Sequence, residues 1–323
     1  MRATRTTRRL RSRALVSAAR AATACALFLL TALVASPRAP LLCRSQHDDV
    51  ISVNSDLVVL NVTATDGRGA YVHGLKRADF KVLEDGREQE ITNFSEEETP
   101  FAVALLLDVS GSMEGRVTLA RSAAIRFLDG LRENDVAAVY SFHSKVEQVQ
   151  DFSGERDLEP RAFGLHAKGM TVLNDAVVVA AKALAARPEK RRAILVLSDG
   201  ADTMSRASAD KALSAALAAN ATIYTVDMGD RDEGGGRSMD SITSANALRN
   251  FAARSGGRYI SATGGETLRQ AFADVVEELS NQYTVGYRPS NRARDGRWRT
   301  IDVSVARAGV SARTRRGYRL GKS

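Results

Sequence analysis

A run of seven apolar residues, 101–107, constrains this chain more than any other feature. A strand buried on both faces reads this way, as parallel strands do when helices cover both sides of a sheet. Residues 193–197 repeat the pattern, and residues 136–142 and 221–226 also read as strands. Between them lie stretches with helical spacing. Residues 118–131 place Ala120, Ala124, Phe127, Leu128 and Leu131 on one face. Leu173, Ala176, Val177, Ala180, Ala181 and Leu184 form a second stripe, residues 207–218 read as helix, and Leu268, Phe272, Val275 and Leu279 mark a last one. Alternation of this kind predicts an α/β fold over residues 100–281: a doubly wound, mostly parallel sheet with helices on both faces.

The flanks have another character. Residues 57–65 are rich in β-formers and end at Asp66-Gly67. Residues 80–84 meet Asp85-Gly86, a hairpin signal, and residues 91–94 follow. Strands return at 283–287 and 298–305, read as a terminal hairpin joined through Asp295-Gly296 with Trp298 in its core. Neither flank has many strands alone, and small strand groups are marginal in isolation. Residues 50–98 and 282–320 are therefore expected to pack together as one β-sandwich, with the α/β domain inserted between them.

The net charge of +8 is unevenly placed. Residues 1–44 hold nine arginines and neither lysine nor acid, so the remainder has 37 basic against 38 acidic residues. An arginine-rich start, an uncharged stretch over 21–35 and then small residues and prolines have the layout of a secretory signal peptide. The apolar run is shorter than the about 20 residues a membrane span needs. The expectation is an exported protein, periplasmic, envelope-bound or extracellular, with an uncleaved N-terminal anchor as the alternative. Cys25 and Cys43 are the only cysteines and lie in or beside this segment, so the folded part has no disulfide framework and no thiolate metal site. Residues 288–323 contain eleven basic and two acidic residues, but few aromatic residues for base stacking. They read as a solvated face, and no nucleic-acid partner is expected.

The chemistry collects in three places. Asp108, Ser110 and Ser112 follow the strand 101–107, Thr171 precedes a helix, and Asp199 follows the strand 193–197. In an open parallel sheet, ligands gather at the carboxyl ends of the strands, where strand order reverses. Two carboxylates and three hydroxyls offer only oxygen, which suits a hard divalent cation: Mg²⁺, or Mn²⁺ or Ca²⁺. Zinc or copper would ask for histidine or cysteine, and His47, His73, His143 and His166 are scattered. Few protein carboxylates leave a coordination position for an incoming carboxylate.

Asp108-Val109-Ser110-Gly111-Ser112-Met113, then Gly169-Met170-Thr171, then Ser198-Asp199-Gly200, resembles the von Willebrand factor A-type domain with a complete metal-ion-dependent adhesion site. The resemblance covers about residues 100–280. It implies Asp108, Ser110, Ser112, Thr171 and Asp199 as the ligand set, with the serines and threonine bound directly and the aspartates directly or through water. One departure is Met170, where a second glycine is usual. The flanks, with Leu75-Lys76-Arg77-Ala78-Asp79-Phe80 before and Tyr283-Thr284-Val285-Gly286-Tyr287 after, resemble the bacterial exported VWFA-related proteins.

The expected function is metal-dependent binding of a protein or surface ligand that presents an Asp or Glu carboxylate, without catalysis. Two alternatives stand beside it: a metal-dependent hydrolase, and an accessory subunit of an ATPase-driven assembly machine. Against the first, Ser110 lacks the Gly-x-Ser-x-Gly elbow and no histidine is placed by sequence to serve it. The export signal argues against the second. Asp175 is read as complementing a helix dipole, with support of the candidate site as the alternative, Asp202 as solvent-exposed and His143 as a packed or exposed side chain. The loop 229–237 leaves the same sheet edge and is read equally as a functional loop or a mobile surface one.

Overall fold

A computed structural model describes residues 57–96, 99–229, 239–262 and 264–320. The expected signal segment and nearly all of the loop 229–237 lie outside them.

The expected α/β layer is present. Strand β5 (Phe101–Asp108) lies at the centre of a six-stranded sheet. On one side it pairs in parallel with β6 (Val136–Phe142), which pairs antiparallel with β7 (Val146–Ser153) at the edge. On the other side follow β8 (Arg191–Ser198), β9 (Ala221–Asp227) and β10 (Tyr259–Ser261), all parallel. The chain runs from β5 outward to β6 and β7 and then returns to the far side of β5 as β8. The switch in strand order therefore falls between β5 and β8.

Side chains of successive strand residues point to opposite faces, and β5 divides the core accordingly. Phe101, Val103, Leu105 and Leu107 pack with α1 (Val117–Asp129) and α5 (Gly265–Ser280). Ala102, Ala104 and Leu106 pack on the other face with α2 (Leu173–Ala185), α3 (Ala209–Ala218) and α4 (Met239–Ser255). The small residues on that second face let α2 sit close. The helical stripes anticipated around Phe127, Leu184 and Phe272 are the buried faces of α1, α2 and α5. Among the described residues no helix is long and apolar enough to cross a membrane.

The flanking strands form two four-stranded antiparallel sheets that share one core. β1 (Val58–Thr65), β4 (Ile91–Ser95), β11 (Tyr283–Tyr287) and β13 (Ser311–Arg313) make one, in the order β13-β1-β11-β4. β2 (Phe80–Glu84), β3 (Arg87–Gln89), β12 (Trp298–Val305) and β14 (Gly317–Arg319) make the other, in the order β14-β12-β2-β3. Leu60, Val62 and Val82 from the first flank pack with Val285, Tyr287 and Val303 from the second. Asp85 and Gly86, both at positive φ, make the tight β2–β3 turn expected of Asp-Gly.

One expectation is overturned here. The strands 283–287 and 298–305 are not a hairpin: β11 pairs with β1 and β4, and β12 pairs with β2 and β14. Each C-terminal strand finds a better apolar partner in the other flank than in its neighbour. Trp298 accordingly leaves the sandwich core, packs against the α2–α3–α4 side of the α/β layer and carries the Arg254 guanidinium over its ring, 5.4 Å from the centroid. Strand β7 and helix α4 had no sequence expectation at all.

Buried polar groups bind the two layers at the base of the parallel sheet. Glu278 of α5 is 1% exposed, accepts hydrogen bonds from Tyr224 Oη (2.7 Å) and Thr63 Oγ1 (3.3 Å), and pairs with Arg313 at 2.6 Å. The fully buried Arg191 donates to the carbonyls of Leu279 and Gln282. Inside the sandwich, Glu84 accepts from Tyr287 (2.7 Å), Tyr318 (2.8 Å) and Arg299 (3.1 Å), all buried.

Candidate metal centre

The register of the sheet sets the level of the candidate site. Leu107 of β5 lies opposite Leu197 of β8, and Ser198 lies opposite Asp227 of β9. Asp108, Ser198 and Asp227 thus end three adjacent strands at the carboxyl edge, beside the switch between β5 and β8.

Past Asp108 the chain turns at once. The Ser110 N–H donates to Asp108 Oδ1 at 2.9 Å, and Ser110 Oγ lies 3.1 Å from Ser112 Oγ. The other carboxylate oxygen, Oδ2, accepts from Ser198 Oγ at 2.5 Å, and that hydroxyl accepts in turn from the Gly200 N–H at 2.9 Å. Ser198 therefore ties the end of β5 to the turn that follows β8. Ser198 has no role legible from the sequence.

The second loop is stitched to both others. Gly111 N–H donates to the Gly169 carbonyl (3.1 Å), and Lys168 N–H donates to the Val109 carbonyl (2.9 Å). The Thr171 carbonyl accepts from the N–H groups of Thr203 and Met204, both at 3.0 Å, and the Thr171 N–H donates to Thr203 Oγ1 at 2.9 Å. Asp202, read as merely exposed, is exposed but accepts from Asn174 N–H at 2.7 Å, at the start of α2. Asp175 does more than complement a dipole: its carboxylate accepts from the N–H groups of Arg206 (3.1 Å) and Ala207 (2.9 Å).

Two glycines make the close approaches possible. At Gly169 (φ +74°) a Cβ would fall 2.5 Å from Ser144 Oγ, and at Gly200 (φ +84°) one would fall 2.5 Å from the Ser244 carbonyl oxygen of α4. Positive φ is the region that glycine enters freely.

The five candidate ligands run from interior to surface. Asp108, Ser110 and Thr171 are buried, Asp199 is half-buried and Ser112 is exposed. Burial pushes the Asp108 carboxyl up to about 6; hydrogen bonds from Ser110 and Ser198 oppose the shift, and the charge of Asp199 adds to it. Among the described residues no Lys or Arg forms an ion pair with Asp108 or Asp199. The result is a buried carboxylate that feels the charge of a second one and is bonded by hydroxyls, with Ser112 reaching the surface. Such an oxygen-only donor set fits a hard divalent cation. Among the described residues, no three His, Cys, Asp or Glu side chains cluster as a metal site, so a cation here would depend on two carboxylates supplemented by hydroxyls. His143 does not join the set: it is buried, with Nε2 3.7 Å from Glu147.

Asp227 is the carboxylate that the sequence reading passed over. It is buried, accepts from the Gly229 N–H (2.9 Å) and is hydrogen-bonded by the Tyr259 hydroxyl. Its position at the end of the strand next to β8 is the signal that could have revealed it.

Residues 103–201 match the family model of the von Willebrand factor type A domain. No curated protein matches the chain. Among solved structures, the chain is similar to the PilB minor pilin from Streptococcus sanguinis, at 15% identity and a TM-score of 0.44, covering 58% of this chain and 63% of that one. It is also similar to the vWF domain of the type V pili tip protein Mfa5 from Porphyromonas gingivalis, at 14% identity and 0.46, covering 56% and 95%. A third is a von Willebrand factor type A protein from Catenulispora acidiphila, at 13% and 0.46, covering 80% and 72%. The match falls on β5 through β8 and the turn that follows, the segment that holds Asp108, Thr171 and Asp199, and this segment is similar to a von Willebrand factor type A domain.

Proposed function

We propose that this protein is an exported binding module in which a divalent cation bridges the chain to a carboxylate on its partner. Asp108, Ser110, Ser112, Thr171 and Asp199 would hold the ion, Mg²⁺ or else Mn²⁺ or Ca²⁺, as a complete metal-ion-dependent adhesion site. The cation supplies a point of positive charge with an open coordination position. The chain's own residues do the rest: Ser198 and the Ser110 N–H fix the Asp108 carboxylate, and the bonds from Gly111 to Gly169 and from Thr203 to Thr171 hold the three loops in one arrangement. That cross-stitching of three loops around a buried, unpaired carboxylate is the observation that carries the reading. Export rests on the arginine-rich, then apolar, sequence of residues 1–44. A binding role rather than catalysis rests on the donor set, which holds an ion but offers no placed base for a bound water.

The test is direct. Mn²⁺ titration followed by electron paramagnetic resonance is expected to show one tight site in the full chain and none in Asp108→Ala. Capture of partners from an envelope fraction is expected to be lost with EDTA and restored by Mg²⁺. Capture that survives both chelation and Asp108→Ala would overturn the reading.

A further inference from the structure

Five large apolar side chains are well exposed among the described residues: Met170 (49%), Val179 (39%), Met204 (57%), Met239 (77%) and Ile242 (38%). Val179 lies midway along α2. The other four all sit at the carboxyl edge of the parallel sheet. Met170 lies directly before Thr171. Met204 lies in the loop after Asp199, and its N–H donates to the Thr171 carbonyl. Met239 and Ile242 are in the first turn of α4, the helix whose Ser244 and Leu248 press against Gly200 beside Asp199.

Three exposed methionines and an isoleucine at the sheet edge that carries the candidate ligands are a costly arrangement for a surface with no partner, because each side chain leaves apolar area in water. Exposed apolar groups gathered at one edge and bordered by polar residues mark an interaction site. Methionine is flexible and polarizable and moulds itself to irregular apolar surfaces. The charges beside these side chains are mixed, with Lys168 and Arg206 exposed on the second and third loops, while Asp202 is engaged by backbone N–H groups.

We infer that the partner is a protein segment whose Asp or Glu side chain is flanked by aliphatic or aromatic residues. The carboxylate meets the metal, and its neighbours bury against Met170, Met204, Met239 and Ile242. This rests on the metal-bridged reading above and adds the identity of the flanking groups. A glycan would offer hydroxyls, which four apolar side chains cannot satisfy. Met170, directly before Thr171 and 49% exposed, is then a specificity determinant.

The experiment uses the full chain and two fluorescein-labelled peptides, one centred on Leu-Asp-Leu and one on Gly-Asp-Gly, read by fluorescence anisotropy in Mg²⁺. The first is expected to bind at least tenfold more tightly. That advantage is expected to vanish in the triple variant Met170→Ser, Met204→Ser, Met239→Ser, which is expected to bind Mn²⁺ like the parent. If Mn²⁺ binds the parent and not Asp108→Ala, yet the peptides bind equally or neither binds, the apolar contact is refuted and the metal centre stands. Binding to phosphatidylserine vesicles in place of either peptide also refutes the protein partner. If Mn²⁺ itself fails to bind, the metal reading falls and this inference with it.

Discussion

Replacing Ser198 by alanine tests the geometry of the site through a residue that need not touch the ion. Its hydroxyl gives Asp108 Oδ2 a hydrogen bond of 2.5 Å and receives one from the Gly200 N–H at 2.9 Å, in a fully buried position. A hydrogen bond to a charged group contributes about 1.5–3 kcal/mol, so Ser198→Ala is expected to lose roughly that much stability in EDTA, read by urea denaturation. It also frees the carboxylate that β5 presents. Groups that orient a metal ligand are worth about 10–100-fold in affinity, or about 1.4–2.7 kcal/mol. Mn²⁺ titration should show that loss. Ser141 provides the control: its Oγ is equally buried in β6 and finds no hydrogen-bond partner among the described residues. Ser141→Ala is expected to change neither stability nor Mn²⁺ affinity. Ser198→Ala binding Mn²⁺ within twofold of the parent would refute the idea that this hydroxyl sets the ligand.

Three further outcomes follow from the same structure. Gly200→Ala combines a positive φ with a Cβ placed 2.5 Å from the Ser244 carbonyl oxygen, so a loss of about 1–3 kcal/mol from backbone strain alone is expected, with weakened Mn²⁺ binding, by urea denaturation and titration. Glu84→Ala strands the buried Arg299 guanidinium and two tyrosine hydroxyls; about 3–5 kcal/mol is expected to be lost, and thermal unfolding reads it. Arg313→Met removes the 2.6 Å partner of the buried Glu278 carboxylate while Arg258 stays 3.9 Å away, and a loss of about 1.5–3 kcal/mol is expected by urea denaturation, with Mn²⁺ affinity unchanged.

The parts of the fold legible in the sequence are those where one segment's burial is settled by its own residues. Residues 101–107 could only be a strand covered on both faces, and the Asp85-Gly86 turn needed no distant partner. The five candidate ligands stood out in the sequence because each follows a buried strand or lies just before a helix. Strand β7 escaped because its Glu147, Gln148 and Asp151 belong to an exposed antiparallel edge, where no apolar run forms. Helix α4 escaped because Ala245, Leu248, Phe251 and Ala252 make a short buried stripe in a largely polar segment. The false hairpin came from reading neighbours in sequence as neighbours in space. β11 and β12 pair with strands more than 180 residues away, a choice made by the shared apolar core. Ser198 and Asp227 escaped for the same reason, since each is tied to a side chain on an adjacent strand, Asp108 and Tyr259, that is distant in the chain.

The insertion of the α/β domain has a mechanical consequence. The chain leaves the sandwich through β4 and returns through β11, and these strands lie side by side, with Ser95 opposite Thr284. A force applied at the carboxyl edge of the parallel sheet reaches the sandwich through both strands at the same end and in the same direction. The ladder between β4 and β11 then bears no sliding load. The strain passes instead to the β1–β11 ladder, which spans Val58 to Val62 against Tyr287 to Tyr283, and to the Glu278–Arg313 clasp below it. A protein built to hold on to something under tension would be anchored in this way, by a doubled tether rather than a single thread.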